Sequence, residues 1–271
     1  MIINRYNKEG FDAASLDVGD TSDIPIAVIA HGGATLNWND RAPVTKLLFQ
    51  HVPIIHSLLL PWHGRNNNNL EYNDGNFDLI SAVVDEIREL LAHIVKARRV
   101  IFIGMSMGGL ILIKTFSSLY HSMQPTSICI GIGTALTLGS SGKLVEMYWR
   151  AILEDLENSP DLSKVHSDPR SMLKFIIDGA ANPISPLYHN QKQLELLKIS
   201  DAFKRIFFVH GSHDSAFPLS ELKEIVNQKN IRVIADLDHF DYMKRENWRN
   251  VERALNEIIQ QNFSSKKRAR L

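Results

Sequence analysis

The sequence predicts an α/β fold, namely a mostly parallel, doubly wound sheet with an inserted helical cap. Short, continuously apolar runs with strand character alternate along the chain with longer segments of helical period. That alternation is typical of parallel strands that helices bury on both faces. It is interrupted once, between residues 134 and 204, where helical patterns and loop breakers occur but no strand pattern does.

Six apolar runs give the predicted strands, and four further segments give the predicted helices. The first helix is the clearest, because apolar residues recur in it at steps of three and four residues. The predicted strands are 24–30, 54–60, 99–103, 127–132, 205–209 and 231–235, and the predicted helices are 77–95, the segment after Ser106, 221–228 and 248–263.

The break in the alternation divides the chain into a core and an insertion. We expect residues 1–133 and 205–263 to form the core and residues 134–204 to form a helical cap, because a structureless loop of that length is improbable in a compact domain. Residues 264–271 are basic, and we expect them to be a disordered tail.

Composition excludes several classes of protein. The 271 residues contain 30 Lys+Arg and 30 Asp+Glu, and a formal charge of zero argues against a nucleic-acid binder that relies on bulk charge. The one cysteine, Cys129, cannot form an internal disulfide or a multi-cysteine metal site. No run has the length of a membrane span or a signal peptide. We therefore expect a cytoplasmic protein, although Ala269-Arg270-Leu271 resembles a peroxisomal address, which is the alternative.

Residues 104–109, G-M-S-M-G-G, follow a predicted strand and open a predicted helix. The pattern G-x-S-x-G in that position is a nucleophile elbow, in which a tight turn holds the serine in an unfavourable backbone conformation. The hydroxyl then projects at a helix N-terminus, where partial positive charge favours a developing oxyanion. Ser106 is therefore the candidate nucleophile. The alternative is a glycine-rich turn with an incidental serine.

A serine nucleophile needs a base, and the base needs a third group to orient it. Asp214 follows the predicted strand 205–209, and His239 follows the last predicted strand. The carboxyl ends of the strands gather at one edge of a doubly wound sheet, so Ser106, Asp214 and His239 can converge there. Asp236 and Asp238 are rival acids, but they lie too close in sequence to His239 to orient it easily. We interpret them as solvated turn carboxylates.

The choice of histidine depends on position, since the chain has 11 histidines. His239 lies between the last strand and the last helix, and its alternative role is that of an exposed turn residue. His210 and His213 are interpreted as framework or loop residues that support Asp214.

Acyl transfer also requires amide donors aimed at the oxyanion. The amide of Met107, directly after the nucleophile, is one candidate. The amide of Gly33, in the loop after the first predicted strand, is the other. The alternative for residues 31–33 is a plain turn.

These motifs together resemble the α/β-hydrolase fold superfamily over roughly residues 24–261. Trp62, in place of the usual glycine, and Met105, in place of an aromatic residue or histidine, depart from the family pattern without removing a catalytic group. Five matches occur in the family's order, and they are His31-Gly32-Gly33, Pro61-Trp62-His63-Gly64-Arg65, residues 104–109, His210-Gly211-Ser212-His213-Asp214 with Pro218 after it, and Asp238-His239-Phe240.

The resemblance implies that Ser106 is the nucleophile, His239 the base, Asp214 its orienting acid, and Gly33 and Met107 the oxyanion donors. It implies a cofactor-independent and metal-independent serine hydrolase whose partner is a small-molecule ester with an apolar acyl or alcohol group.

Two features concern the substrate. The pair Gly108-Gly109 after the serine's neighbour resembles the pattern in monoacylglycerol lipases and small carboxylesterases, but the same pattern occurs in thioesterases and carbon–carbon hydrolases. A non-enzymatic ligand-binding receptor on this fold is a further alternative. Apolar residues crowd the first part of the predicted cap. We expect most of them to pack the cap against the core, and Tyr148 and Trp149 are candidates for lining an apolar pocket.

Overall fold

The centre of the molecule is a β-sheet that has eight strands in the described part of the chain. The structure, a computed structural model, describes residues 2–7, 10–11, 24–32, 43–59, 77–137, 177, 185, 187–242 and 244–263. The strands are β1 (Ile2–Asn7), β2 (Gly10–Phe11), β3 (Ile26–Ala30), β4 (Ile54–Leu59), β5 (Val100–Met105), β6 (Ile128–Ile132), β7 (Ile206–Gly211) and β8 (Ile231–Ile234).

The sheet is mostly parallel, which confirms the predicted fold class. The strands lie in the order β2-β1-β4-β3-β5-β6-β7-β8. Strands β3 to β8 pair in parallel with their neighbours, and these six strands correspond to the six predicted runs. The two N-terminal strands are antiparallel additions at the β4 edge. The sequence does not predict them, because an edge pair forms through backbone hydrogen bonds and needs no continuous apolar run.

Helices cover both faces of the sheet. They are α1 (Pro43–Leu48), α2 (Phe77–Val95), α3 (Ser106–Leu119), α4 (Gln191–Ile199), α5 (Leu219–Ile225) and α6 (Arg245–Asn262). Helix α2 has its predicted bounds, and α3, α5 and α6 lie within a few residues of theirs. Helix α1 was not predicted, and at six residues it is too short to show a helical period.

Residues along each central strand alternate between two apolar clusters. In β3, Ile26, Val28 and Ala30 pack with α2 and α3. Ala27 and Ile29 point to the opposite face and pack with α1 and α6. This period of two, on a strand that is buried throughout, explains why the run is apolar at every position.

The chain reverses its direction of strand addition between β3 and β5. From β3 it passes to β4 on one side, and it then returns to place β5 on the other side of β3. At such a switch point the loops leaving the two carboxyl ends diverge and open a crevice, where ligands bind in open α/β sheets. Ser106 directly follows β5 at this crevice.

The predicted cap, residues 134–204, lies largely outside the described residues, and its boundaries stay a prediction. Helix α4 falls within it and begins with a capping box between Asn190 and Gln193. Near the start of the range, the Leu136 carbonyl accepts a hydrogen bond from the backbone N–H of His189 at 3.1 Å. The tail, residues 264–271, lies outside the described residues. In the residues that are described, no helix is long and apolar enough to cross a membrane.

Candidate active site

The turn from β5 into α3 holds Ser106 in the left-handed region of backbone conformation, with φ of 49°. A residue with a side chain rarely adopts this conformation, which costs roughly 1–2 kcal/mol. Close packing surrounds the turn: a Cβ on Gly104 would lie 2.5 Å from the Gly108 carbonyl oxygen, and one on Gly108 would contact the His31 carbonyl oxygen. The glycines of the motif therefore let α3 approach β3 and β5 closely, and the turn has the geometry predicted for a nucleophile elbow.

The structure brings Ser106, His239 and Asp214 into one hydrogen-bonded chain. Ser106 Oγ lies 3.0 Å from His239 Nε2. His239 Nδ1 lies 3.1 Å from both Oδ1 and Oδ2 of Asp214. All three residues are buried. They come from the turns after β5, β7 and β8, so the parallel sheet places them at one edge.

The hydrogen bonds define the tautomer of His239. The ionised Asp214 carboxylate can only accept hydrogen bonds, so Nδ1 of His239 carries the proton and donates it. Nε2 is then unprotonated and accepts from the Ser106 hydroxyl. Burial raises the pKa of Asp214, but the adjacent His239 ring and hydrogen bonds, including the Phe217 amide, lower it more, and the net shift is downward. Asp214 is therefore a carboxylate at neutral pH.

The two rival acids have other positions. Asp236 is exposed and adopts φ of 55° in the turn after β8, as expected of a turn carboxylate. Asp238 is half-buried rather than solvated, which corrects the prediction. Its Oδ1 accepts from the Ser215 amide at 2.8 Å, the Ser215 hydroxyl at 2.7 Å and the His239 amide at 2.7 Å. Asp238 thus connects the turn that carries Asp214 to the turn that carries His239.

The two histidines near Asp214 differ from each other. His210 is fully buried in β7, and its Nε2 lies 2.7 Å from the Phe217 carbonyl oxygen and 3.8 Å from Asp214 Oδ2. Burial lowers the pKa of His210 despite the nearby carboxylate, so the ring is neutral and acts as framework, as predicted. His213 is exposed, and its Nδ1 faces Asp236 at 3.6 Å. The prediction that it supports Asp214 was wrong, because its exposed side chain faces Asp236 instead.

Tyr242 is a site residue that the sequence analysis missed. Its hydroxyl donates to Asp214 Oδ2 at 2.8 Å and accepts from the Gly211 amide at 2.7 Å. Burial, followed by the negative charge of Asp214, raises the pKa of Tyr242 well above its ordinary value, so the phenol stays protonated. The available signal was weak: an aromatic residue with a polar end lies three positions after His239, in the same turn.

Only one of the predicted oxyanion donors lies in the described part. Met107 is the second residue of α3, within the first turn, whose backbone N–H groups have no partner inside the helix. Gly33 lies outside the described residues. The chain before it, at His31, packs against Gly108 in the first turn of α3, so the loop after β3 starts beside the elbow.

Aromatic rings enclose the imidazole of His239. The Phe217 and Phe240 rings meet it edge to face, with ring centroids 5.3 and 5.2 Å away. The His239 side chain is buried, and a hydrogen bond in such surroundings, here the one to Asp214, is electrostatically stronger than it would be in water. Tyr148 and Trp149, the predicted pocket residues, lie outside the described residues, as do residues 61–65.

Other reactive groups do not form a competing centre in the described residues. Cys129 is fully buried in β6, and burial raises the pKa of its thiol, so the thiolate that would act as nucleophile is disfavoured. Within the described ranges, no cluster of three His, Cys, Asp or Glu side chains could hold a metal ion.

The fold and the elbow define a class of protein, the hydrolases built on a doubly wound α/β sheet. The chain belongs to the alpha/beta hydrolase family, whose sequence model matches residues 27–248. None of the curated protein sequences matches this chain.

Solved structures with the same fold include hydrolases of different specificity. A carboxylesterase of the ammonia-oxidizing thaumarchaeon Nitrososphaera gargenis is 19% identical with a TM-score of 0.58, over 96% of both chains. The 2-hydroxy-6-oxo-6-phenylhexa-2,4-dienoate hydrolase of a Rhodococcus species is 16% identical with a TM-score of 0.59, over 88% of this chain and 91% of that one. A thermophilic esterase from Thermogutta terrifontis is 15% identical with a TM-score of 0.55, over 97% and 94%.

Proposed function

We propose that this protein is a serine hydrolase that cleaves a small carboxylic ester with an apolar acyl or alcohol group through an acyl-enzyme. The observation that supports this proposal is the chain of hydrogen bonds from Ser106 Oγ through His239 to Asp214, with separations of 3.0 and 3.1 Å. A nucleophile within hydrogen-bond reach of a base, and a base oriented by a third group, is the arrangement that acyl transfer requires.

In the first half of the reaction, Ser106 Oγ attacks the ester carbonyl carbon while its proton passes to His239 Nε2. The carbonyl electrons move onto oxygen and give a tetrahedral intermediate. When the intermediate collapses, the bond to the alcohol oxygen breaks, and His239 returns its proton to that oxygen. The alcohol leaves, and the acyl group stays on Ser106. Asp214 stabilises the imidazolium while it exists, because its carboxylate accepts a hydrogen bond from Nδ1–H and remains ionised.

In the second half, water occupies the place of the alcohol. His239 Nε2 takes a proton from the water as its oxygen attacks the acyl carbon. Collapse of the second tetrahedral intermediate breaks the bond to Ser106 Oγ, which recovers the proton from His239. The acid is released, and the enzyme returns to its starting state without a cofactor.

The negative oxygen of each intermediate needs donors that are already in position. We assign this role to the backbone amides of Met107 and Gly33. The first turn of α3 adds the partial positive charge of a helix N-terminus. One such donor is worth about 2.7–4 kcal/mol in the transition state.

The proposed specificity rests on the predicted cap. Tyr148 and Trp149 would supply an apolar wall of the pocket and hold the acyl or alcohol group by burial, since ligand pockets are mostly apolar with few polar groups.

A carbon–carbon bond hydrolase is the second candidate. The likeness to the Rhodococcus hydrolase favours it, although at 16% identity that likeness concerns the fold. The same three side chains could serve either reaction, and also a thioesterase. A ligand-binding receptor is the non-enzymatic alternative, but it would not need a nucleophile, a base and an acid in hydrogen-bond contact.

The test is labelling with a fluorophosphonate probe together with turnover of p-nitrophenyl esters, acyl thioesters and a vinylogous diketone. Ser106→Ala should lose both labelling and turnover. Ser118→Ala is the matched control, because Ser118 lies on the same helix and its hydroxyl donates to the Thr115 carbonyl, away from the site. The proposal fails if Ser106→Ala is still labelled and active. Preferential turnover of the diketone would support the second candidate, a carbon–carbon bond hydrolase, over the ester hydrolase.

A further inference from the structure

Tyr242 lies between the two elements that carry the acid and the base. Its side chain is fully buried. Its hydroxyl donates to Asp214 Oδ2 at 2.8 Å and accepts from the backbone N–H of Gly211, the last residue of β7, at 2.7 Å. The phenol therefore has one hydrogen bond to a fixed strand end and one to the carboxylate.

The two oxygens of Asp214 have different partners. Oδ1 accepts from the amides of Ala216 and Phe217, at 3.1 and 2.9 Å. These amides belong to the loop of Asp214 itself, so they move with it. The hydroxyl of Tyr242 comes instead from the segment that carries His239.

The bond to Gly211 determines the direction of the other bond. The Gly211 amide can only donate, so the Tyr242 oxygen is its acceptor and the phenolic proton is available for Asp214 Oδ2. The orientation of that proton is thus set before any substrate binds. Gly133, directly after β6, leaves room for the Tyr242 ring. It has φ of 52°, and a Cβ there would lie 2.6 Å from Tyr242 Cε2.

We infer that Tyr242 is a positioning residue for the triad, which acts by holding the Asp214 carboxylate with both oxygens equidistant from His239 Nδ1. The inference rests on the proposed function, since a positioned carboxylate matters only if His239 acts as a base. Without the Tyr242 hydroxyl, the only described hydrogen-bond partner of Oδ2 is Nδ1 of His239, the base that the carboxylate has to orient. The carboxylate is then held by the two amides on Oδ1 alone, and the orientation of His239 toward Ser106 is less restrained.

The test is Tyr242→Phe, which removes one oxygen and keeps the ring that fills the space beside Gly133. We expect kcat on a p-nitrophenyl ester to fall roughly 10- to 100-fold, the range for losing a hydrogen bond to a charged group, while KM stays within about twofold. Tyr120→Phe is the matched control, because the Tyr120 hydroxyl donates to the Pro125 carbonyl, far from the site. The assay temperature is set below the unfolding transition of every variant.

A double-mutant cycle with Asp214→Asn separates positioning from packing. If Tyr242 acts through the carboxylate, Tyr242→Phe should cost little further once Asp214 is replaced. An equal fold-loss in both backgrounds would overturn the inference, because it would indicate a general effect on packing. So would a Tyr242→Phe enzyme as active as Tyr120→Phe. Either result leaves the proposed function intact as long as Ser106→Ala is inactive. An active Ser106→Ala enzyme would instead refute the proposed function, and the inference about Tyr242 with it.

Discussion

Asp214→Asn is the most informative single change, because every described hydrogen-bond partner of this carboxylate is a donor. Its oxygens accept from His239 Nδ1, the amides of Ala216 and Phe217, and the hydroxyl of Tyr242. Asparagine offers one acceptor oxygen and one NH₂ group in the same space. The two backbone amides cannot reverse, so the amide oxygen of asparagine should take the Oδ1 position and its NH₂ group the Oδ2 position.

The expected loss follows from the tautomer. An NH₂ group beside His239 Nδ1 donates to that nitrogen, so the imidazole proton moves to Nε2, where it faces Ser106 Oγ. Nε2 of His239 then already carries a proton and cannot accept the one from Ser106. We expect kcat to fall by roughly 10⁴-fold, the scale of this exchange in a serine–histidine–aspartate triad, which corresponds to about 5.4 kcal/mol of activation free energy.

Asp238→Asn is the matched control. The three described hydrogen bonds to the Asp238 side chain all reach Oδ1, which an asparagine oxygen can replace, so the change removes charge and keeps geometry. The assay is steady-state hydrolysis of p-nitrophenyl acetate, with the rate of fluorophosphonate labelling as a second readout. We expect Asp238→Asn to stay within a few-fold of the wild type. Similar losses in both variants, or a larger loss for Asp238→Asn, would refute the assignment of Asp214.

The stability of the wild type and of Asp214→Asn, measured against pH, tests the lowered pKa of Asp214. The pKa of Asp214 is lower in the folded protein than its ordinary value of 3.8, so the unfolded chain binds more protons near that pH. The stabilisation by this carboxylate is fully present above about pH 5 and is lost as the pH falls through 3.8 toward the lower folded-state pKa. The difference in unfolding free energy between the wild type and Asp214→Asn should therefore shrink in acid, as measured by urea denaturation at a series of pH values.

Three further outcomes are expected. Gly108→Ala should lower the free energy of unfolding, measured in urea, by at least about 1–3 kcal/mol, because the added Cβ would contact the backbone oxygen of His31. Gly131→Ala should lose less, because its added Cβ would lie 3.1 Å from the nearest atom, the Cβ of Thr134. Burial lowers the pKa of Lys114 to about 8 from 10.5, so the wild type should gain stability relative to Lys114→Met as the pH rises through that interval; parallel curves would contradict the shift. Trp149→Ala should reduce kcat on long-chain esters more than on acetyl esters, and an equal loss would indicate a cap residue that only packs.

The six parallel strands could be predicted because burial on both faces leaves a strong signal. A strand such as β5 is fully buried, so all of its positions are apolar, and its neighbours in sequence are helices of clear period. The elbow could be predicted for a similar reason: the close approach of α3 to β3 excludes a side chain at Gly108. Both constraints act on single positions and are therefore visible in the residue types.

The features that were missed depend on pairings that leave no such mark. Strand β1 forms through backbone bonds to β4 at the edge of the sheet, and its sequence turns polar after two residues. Tyr242 has the composition of an ordinary turn aromatic, and its role appears only when β7 and the turn after β8 are in place. Asp238 was interpreted as solvated because the sequence does not reveal that Ser215, 23 residues earlier, lies beside it.

The separation of the bonded side chains along the chain has a consequence for folding. Ser106 and His239 are 133 residues apart, and their contact requires that β5 to β8 have already paired in order. Closing so long a loop costs entropy that only the completed sheet recovers, so we expect this contact to form late in folding. Partly folded or truncated chains would contain the elbow but lack its base. The rate at which a nascent or refolding chain becomes reactive toward a phosphonate should thus report the arrival of the native sheet rather than the formation of α3.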